Sequence, residues 1–386
     1  MTGQGPLPPG STIGVIGGGQ LGRMLALEAR RMGYRVGVVD PTPDCPAAQV
    51  ADFHIVAPLS DVKAVRELAS RSDVVTIETE HIAIESMHAA EAVKPVRPSS
   101  KVLANIHDRL AQKTFLQTHG FPQPAFAKVD TREDLEAAAR TVGVPAVLKS
   151  RRGGYDGKGQ SRVMEPGDLE GAWERINRAP CIYEAFVPFR MEVSVILARG
   201  VDGTMQVYPV AENVHRNGIL HTTRAPARVP DAVAARAQEI AKGVAEALGH
   251  VGVIAVEMFV TRDDEVLVNE IAPRTHNSSH FTFGACSTSQ FEQHARAVLG
   301  LPLGDPSLLT PVVMVNILGD AWKNGEPDWM ALLAHPELRL HLYGKKDMKP
   351  GRKVGHFLLL DADTDRSLAR ADGLLAALSA GAKRPE

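Results

Sequence analysis

Along the first hundred residues, short apolar runs alternate with longer segments whose apolar positions recur every three to four residues. Thr12–Ile16, Arg35–Val39, Phe53–Val56 and Val74–Ile77 are the runs; the segments Gln20 to about Met32, Asp61–Ser70 and the stretch from Ile84 carry the helical period. Strand, helix, strand in that order predicts βαβ units and a parallel sheet with helices on its faces. Past Pro95 and Pro98 the pattern changes. Helices are expected at Asp108–Gly120, Thr131–Val142 (with Thr131 and Asp134 as a capping box), Asp168–Asn177 and Asp231–Leu248. Strands are expected at Ala125–Val129, Pro145–Arg152, Cys181–Val187, Glu192–Gly200 and Met205–Val210, the last running on to His215. A hairpin, Val251–Ala272, is followed by a helix at Gln290–Leu299. Strand-like runs at Val312–Ile317, Leu338–Leu342 and Lys353–Leu360 precede an Ala/Leu-rich C-terminal helix. The fold class is therefore α/β and α+β, multidomain. The expected division is a loose tail (1–11), an N-terminal parallel-sheet α/β domain (12–107), a central domain (108–302) and a small β-rich C-terminal α+β domain (303–386).

The hairpin carries the first chemistry. If Arg262–Glu265 is its loop and Thr261 and Val266 close it, Glu257 lies opposite Glu270. Facing carboxylates in an apolar sheet repel one another, and a hard divalent cation between them removes the conflict. The plainer reading is a register one residue away, with one glutamate solvated at an edge.

Two glycine-rich stretches are candidate anion sites. Gly17, Gly19 and Gly22 sit between strand and helix with dinucleotide-fingerprint spacing, and Asp40 lies near the position of a ribose-binding acid. The same turn suits any phosphate at a helix N-terminus, or no ligand at all. Strand Val74–Ile77 runs into Glu78 and Glu80, where open α/β sheets bind ligands. Further on, the strand Pro145–Arg152 carries Lys149, and Gly153-Gly154-Tyr155-Asp156-Gly157-Lys158-Gly159-Gln160 follows as a flexible loop able to offer backbone N–H groups and charge to phosphates. No Walker motif can be fitted there.

Taken in order, these parts resemble the ATP-grasp ligases, in which a nucleotide lies between two α+β lobes and paired acids hold Mg²⁺ against its phosphates. GGGQLGRM (Gly17–Met24), TIETEHI (Thr76–Ile82), DRLAQKTFL (Asp108–Leu116), YDGKGQ (Tyr155–Gln160), NEIAPRTHNSSH (Asn269–His280) and YGK…PGRKVGH (Tyr343–His356) are similar to motifs of one branch, the N5-carboxyaminoimidazole ribonucleotide synthases. The resemblance covers about residues 12 to 360. It implies a Rossmann-like pre-ATP-grasp domain, then an ATP-grasp domain with a flap-bearing lobe at about 120–182. It also implies ATP-dependent carboxylation of aminoimidazole ribonucleotide by bicarbonate through carboxyphosphate, with ATP and Mg²⁺, in a homodimer. On the nucleotide it implies Arg109 and Lys149 at the phosphates, Gly154, Tyr155, Asp156, Gly157, Lys158, Gly159 and Gln160 closing over them, and Glu184, Ala185, Phe186 and Val187 reading adenine. Glu192 would accept from the ribose, with His215 in the same pocket, and Asn269 would stand beside the metal ligands Glu257 and Glu270. Gln20, Leu21, Glu78, Tyr155, Asp156, Lys158, Arg274, Lys345 and Arg352 would face the ribonucleotide or the carboxylating species. His276 would be the general acid–base group, with Arg274 and Lys158 assisting. Three departures stand out: Ala272 where many ATP-grasp enzymes have a metal-binding Asn, Ser279 for Gly, and His107 for Gln.

Composition narrows the alternatives. The 386 residues are 44% apolar and 23% charged with net charge −2, and no block of like charge suggests a nucleic-acid or membrane surface. Cys45, Cys181 and Cys286 are far apart without metal spacing, which suits a reducing cytoplasm. The first residues lack the features of a signal peptide. Another ATP-grasp ligase (a formate-dependent phosphoribosyl-glycinamide enzyme or a biotin carboxylase), an NAD-dependent oxidoreductase and a nucleotide sensor without turnover stay open.

Overall fold

The computed structural model describes residues 5–154 and 157–381. In the N-terminal part, β1 (Thr12–Ile16), α1 (Gln20–Arg31), β2 (Arg35–Asp40), β3 (Phe53–Val56), α2 (Val62–Ser70), β4 (Val74–Ile77) and α3 (Ile84–Glu91) follow the apolar pattern closely. The four strands are parallel in the order β3-β2-β1-β4. All of β4 is buried, as expected of a strand covered on both faces. Asp61 caps α2 through the Lys63 and Ala64 amides. The stretch expected to be a loose tail is pinned at Leu7, whose N–H donates to the Leu299 carbonyl and whose carbonyl accepts from the Tyr34 hydroxyl.

Two helices, α4 (Ser100–Ile106) and α5 (Arg109–Thr118), lead into a small lobe: β5 (Phe126–Val129), α6 (Arg132–Val142), β6 (Ala146–Ser150), β7 (Gln160–Val163), α7 (Leu169–Arg175) and β8 (Cys181–Ala185). Its antiparallel sheet runs β5-β8-β6-β7, and the Thr131–Asp134 capping box opens α6. The remaining strands are β9 (Phe189–Arg199), β10 (Met205–Val207), β11 (Ala211–Arg216), β12 (Ile219–Ala225), β13 (Gly252–Thr261), β14 (Val266–Ala272), β15 (Val312–Leu318), β16 (Leu338–Leu342) and β17 (Lys353–Leu360). Between them lie α8 (Asp231–Ala247), α9 (Thr282–Ala285), α10 (Gln290–Leu299) and α11 (Met330–Leu333), and α12 (Thr364–Ser379) follows. They form one sheet, β14-β13-β9-β11-β12-β15-β17-β16, with β10 on β9. The C-terminal strands thus extend the central sheet through β12 instead of building one of their own.

Strand β12 (ILHTTRA) escapes the apolar pattern because its buried residues include Thr222, Thr223 and Arg224, the second donating to Asn213 Oδ1 at 2.9 Å. Alternation along β9 and β13 divides the large sheet. Val193, Val195, Val256 and Met258 pack with Ile240 and Val244 of α8, while Glu192, Glu257 and Phe259 face a cleft.

The hairpin has the expected partners for an unexpected reason. Its last ladder pair is Val260 with Val266, one residue out of the expected register, and Met258 pairs with Val268. A β-bulge then absorbs Asn269 and restores Glu257 opposite Glu270.

Helix α10 joins the parts: Phe291, Val298 and Leu299 are fully buried in one core with Met24 and Leu25 of α1. Phe291→Ala should lower stability by about 3–5 kcal/mol, read as a fall in the urea midpoint. An unchanged midpoint would remove α10 from that core.

Candidate active site

The carboxyl ends of the N-terminal strands, the small lobe and the large sheet surround a cavity of about 1150 Å³. On the nucleotide side, β6 supplies Lys149, β8 and its continuation supply Glu184, Ala185, Phe186 and Val187, and the start of α5 supplies Arg109. Lys149 and Glu184 are hydrogen-bonded, and Lys113 of α5 meets the other Glu184 oxygen at 2.8 Å. Burial would raise the Glu184 carboxyl, but Lys149 and Lys113 outweigh it and bring it down to about 2. Lys113 is lowered to about 8, because burial and repulsion from Lys149 exceed the attraction of its single carboxylate. Of the two lysines on this glutamate, Lys149 lines the cavity, where its ammonium suits a phosphate, and Lys113 backs Glu184 from behind, donating also to the Val268 carbonyl.

The hairpin supplies the acids. Because of the bulge, Asn269 and Glu270 both line the cleft although they are neighbours in a strand. Asn269 Oδ1 accepts from Lys149 at 3.1 Å, and Glu270 accepts from Arg109 at 2.9 Å. Glu270 is lowered, burial being outweighed by Arg109. Glu257 is pushed up to about 7 by burial, with Glu270 and Glu192 adding to the rise and His215 opposing it. Among the described residues, no three His, Cys, Asp or Glu side chains are grouped to hold an ion by themselves. A pair of facing carboxylates at the cleft nevertheless fits Mg²⁺, which takes one or two protein oxygens and completes its shell with phosphates and water. Glu192 of β9 and His215 of β11 are hydrogen-bonded to each other. Phe259, beside Glu192, stacks on Phe189 with ring centroids 4.7 Å apart, and both rings line the cleft.

On the substrate side stand Gln20, Leu21, Glu78, Arg274 and His276. Glu78 explains the glycine spacing. Its carboxylate accepts from the Gly19 N–H at 2.5 Å and the Gly22 N–H at 2.7 Å, and a Cβ on Gly17 (φ +105°) would lie 2.5 Å from Glu78 Cγ. The helix N-terminus that would bind a dinucleotide's pyrophosphate is filled by the protein's own carboxylate, which removes the basis of the oxidoreductase reading. Arg274 grips Glu80 through two hydrogen bonds, 2.5 and 2.9 Å.

His276 lines the cleft with its Nδ1 3.6 Å from Glu257 Oε1. Its Nδ1 accepts from the Ser278 N–H at 3.3 Å, so the neutral ring carries its proton on Nε2. Burial, then Arg274 and Lys353, hold it down at about 3. With its proton on Nε2, the neutral ring can donate a hydrogen bond into the cleft that it lines.

Other expected residues lie elsewhere. Tyr155 and Asp156 fall outside the described residues. Gly154, Gly157 and Gln160 line the cavity; Gly159 and the exposed Lys158 do not. Lys345 donates to the Lys353 carbonyl at 2.7 Å, and Arg352 lies 3.5 Å from Asp347; neither lines the cavity. Lys353, the first residue of β17, does, and only the turn geometry before the strand decides between it and its neighbour. Ser279, one of the departures, is fully buried and donates to Gln290 at 2.6 Å.

The Glu80–Arg274 pair predicts an acid response. Burial opposes ionisation of Glu80, yet Arg274 lowers it from 4.5 to about 2. Its stabilisation is complete above 4.5 and is lost as pH falls through about 2. The urea-unfolding difference between wild type and Glu80→Gln should shrink over that window by on the order of 3 kcal/mol; a pH-independent difference would contradict the pairing.

Three family models match the chain in series: the ribonucleotide synthetase preATP-grasp domain over residues 11–107, the ATP-grasp domain over 114–291, and the phosphoribosylaminoimidazole carboxylase C-terminal domain over 312–370. The N5-carboxyaminoimidazole ribonucleotide synthase of Bacillus subtilis strain 168 is 45% identical over 92% of this chain and 93% of its own length. An ADP complex of an N5-carboxyaminoimidazole ribonucleotide synthetase superposes with a TM-score of 0.92 at 45% identity, covering 97% of this chain and 98% of the other. The Aspergillus clavatus N5-carboxyaminoimidazole synthase, in complex with ADP and 5-aminoimidazole ribonucleotide, gives 0.88 at 32% identity, covering 96% and 99%. With a relative this similar along nearly its whole length, and a cleft assembled from the three matched segments, the chain belongs to the N5-carboxyaminoimidazole ribonucleotide synthase family of ATP-grasp ligases.

Proposed function

We propose that this protein joins bicarbonate to the exocyclic amine of 5-aminoimidazole ribonucleotide, converting ATP to ADP and phosphate and giving N5-carboxyaminoimidazole ribonucleotide for purine biosynthesis. The observation that carries this reading is the shared cavity: Lys149, Arg109 and the paired acids suited to a nucleotide open into the same space as Arg274, His276 and Glu78. ATP, the ribonucleotide and bicarbonate are its small-molecule substrates. Three unpaired, buried cysteines suit a reducing cytoplasm, and no helix among the described residues is long and apolar enough to cross a membrane. A homodimer is the assembly that the family resemblance implies.

Bicarbonate is a poor electrophile until one oxygen becomes a leaving group. Attack of a bicarbonate oxygen on the γ-phosphorus forms carboxyphosphate and releases ADP. The amine then captures the carboxyl carbon, directly or as CO₂, the C–O bond to phosphate breaks, and the amine loses a proton. Lys149 and Arg109 would stabilise charge spreading over the transferring phosphoryl. Glu257 and Glu270 would hold Mg²⁺, which supplies further charge neutralisation at the phosphates. Glu270 is paired with Arg109, so a metal held by Glu270 would leave that guanidinium available to phosphate. Arg274 and the Nε2–H of His276 would orient the carboxylating species. The glycine loop around Gly154 and Gly157 would keep water from it.

Phosphate release from ATP that depends on both aminoimidazole ribonucleotide and bicarbonate, with no change in NADH absorbance, is the expected assay result. Release independent of the ribonucleotide would point to a different ligase or a sensor. Glu270→Gln should lower kcat/KM by about 100-fold or more and raise the magnesium requirement; a wild-type magnesium titration would remove Glu270 from the metal site. His276→Ala should cost about 100-fold, whereas His276→Gln, which keeps an N–H donor, should recover at least about a tenth of the activity. Equal loss in both would point to the acid–base role instead.

A further inference from the structure

We infer that Gln290 is a positioning residue for His276: one side-chain amide supplies the hydrogen bonds that a neighbouring strand would otherwise give the active-site loop. The inference rests on the proposed role of His276 in the cleft.

After β14 ends at Ala272 the chain leaves the sheet, but His276 keeps an extended backbone (φ −133°, ψ 153°). An extended residue without a strand partner must satisfy its N–H and C=O some other way. Both go to Gln290. The His276 N–H donates to Gln290 Oε1 at 2.8 Å, and Gln290 Nε2 donates to the His276 carbonyl at 2.8 Å. The same Oε1 accepts from the Ser279 hydroxyl at 2.6 Å, and the same Nε2 meets His280 Nδ1 at 3.1 Å. Two acceptor sites and two donor hydrogens are the whole capacity of a carboxamide, and all four are used. The side chain is completely buried, so water cannot replace any of them.

The anchor is rigid because of where it stands. Gln290 is the first residue of α10, with Ser289 capping the helix and the Gln290 N–H donating to Thr282 Oγ1 at 2.9 Å. One residue on, Phe291 is locked in the core shared with α1. The amide therefore refers the position of His276 to the packed boundary between the N-terminal domain and the large sheet, not to the loop itself. Only a side chain with a donor and an acceptor at this reach can do so. A carboxylate would set oxygen against the His276 carbonyl, and a shorter amide would not span the gap. The contact with Gln290 Nε2 also makes His280 Nδ1 an acceptor, which places that ring's proton on Nε2.

Gln290→Asn and Gln290→Glu test this in the full-length enzyme. Displacing His276 by about 1 Å should cost about 100-fold in kcat. It should also raise the bicarbonate KM and release more phosphate than carboxylated product, while ADP affinity by calorimetry stays within about threefold. In Gln290→Glu, histidine ¹⁵N shifts should show the His280 proton moved to Nδ1, where it can donate to the new carboxylate. A residue that merely stabilises the fold would lower the melting temperature and leave kcat per folded molecule, coupling and the His280 shifts as in the wild type; that result overturns the inference. Should Gln290→Glu fail to fold, the uncharged Gln290→Asn decides by the same kinetic measures. If the wild type itself shows no ribonucleotide-dependent turnover, the functional reading fails, and the His280 shifts still report on the clamp.

Discussion

One extra residue in one strand sets the chemistry of the cleft. In a regular strand, neighbours point to opposite faces, so Asn269 and Glu270 could not both reach the cavity. The bulge in β14 turns both inward while Val268 and Ile271 stay in the core beneath. It also brings Glu270 opposite Glu257, the arrangement that makes a cation worth more than a proton at this place. Asn269 and Glu270 then reach out to Lys149 and Arg109, which belong to the small lobe and to α5, so the hairpin fastens both lobes of the nucleotide site.

The rest of the cleft is organised as ion pairs that substrates would rearrange. Arg109 holds Glu270, Lys149 and Lys113 hold Glu184, Arg274 holds Glu80, and Glu192 holds His215. Charges buried in this way are tolerable only while paired. Phosphates, a metal ion and a carboxylated intermediate could each take one side of such a pair; in the proposed reaction the pairs would preserve the cleft's shape and give up their cations as ligands arrive.

Much of this is legible in the sequence because it is local. The apolar period gives the four parallel strands, and the boundaries of β16, β17 and α10 match residue for residue. The facing glutamates also emerge, but through two offsets that cancel: a pairing register one residue out at the turn, and a bulge that no propensity announces. What escapes depends on distant packing. Glu78 filling its own glycine turn, Lys353 standing where Arg352 or Lys345 is expected, and Gln290 holding a loop fourteen positions earlier all follow from elements that meet only in the folded chain. Strand β12 is hidden for a related reason: its buried side chains are polar and paired across the sheet, so alternation of apolar residues does not mark it.

The measurement that bears most directly on the hairpin is a crystal structure of the ATP complex grown with Mn²⁺ in place of Mg²⁺, with the metal located by anomalous scattering. The account predicts an ion bonded at once to the Glu257 and Glu270 carboxylates and to nucleotide phosphate, with Arg109 moved from Glu270 onto the phosphates. An ion held by other acids, with Glu270 still paired to Arg109, would contradict it.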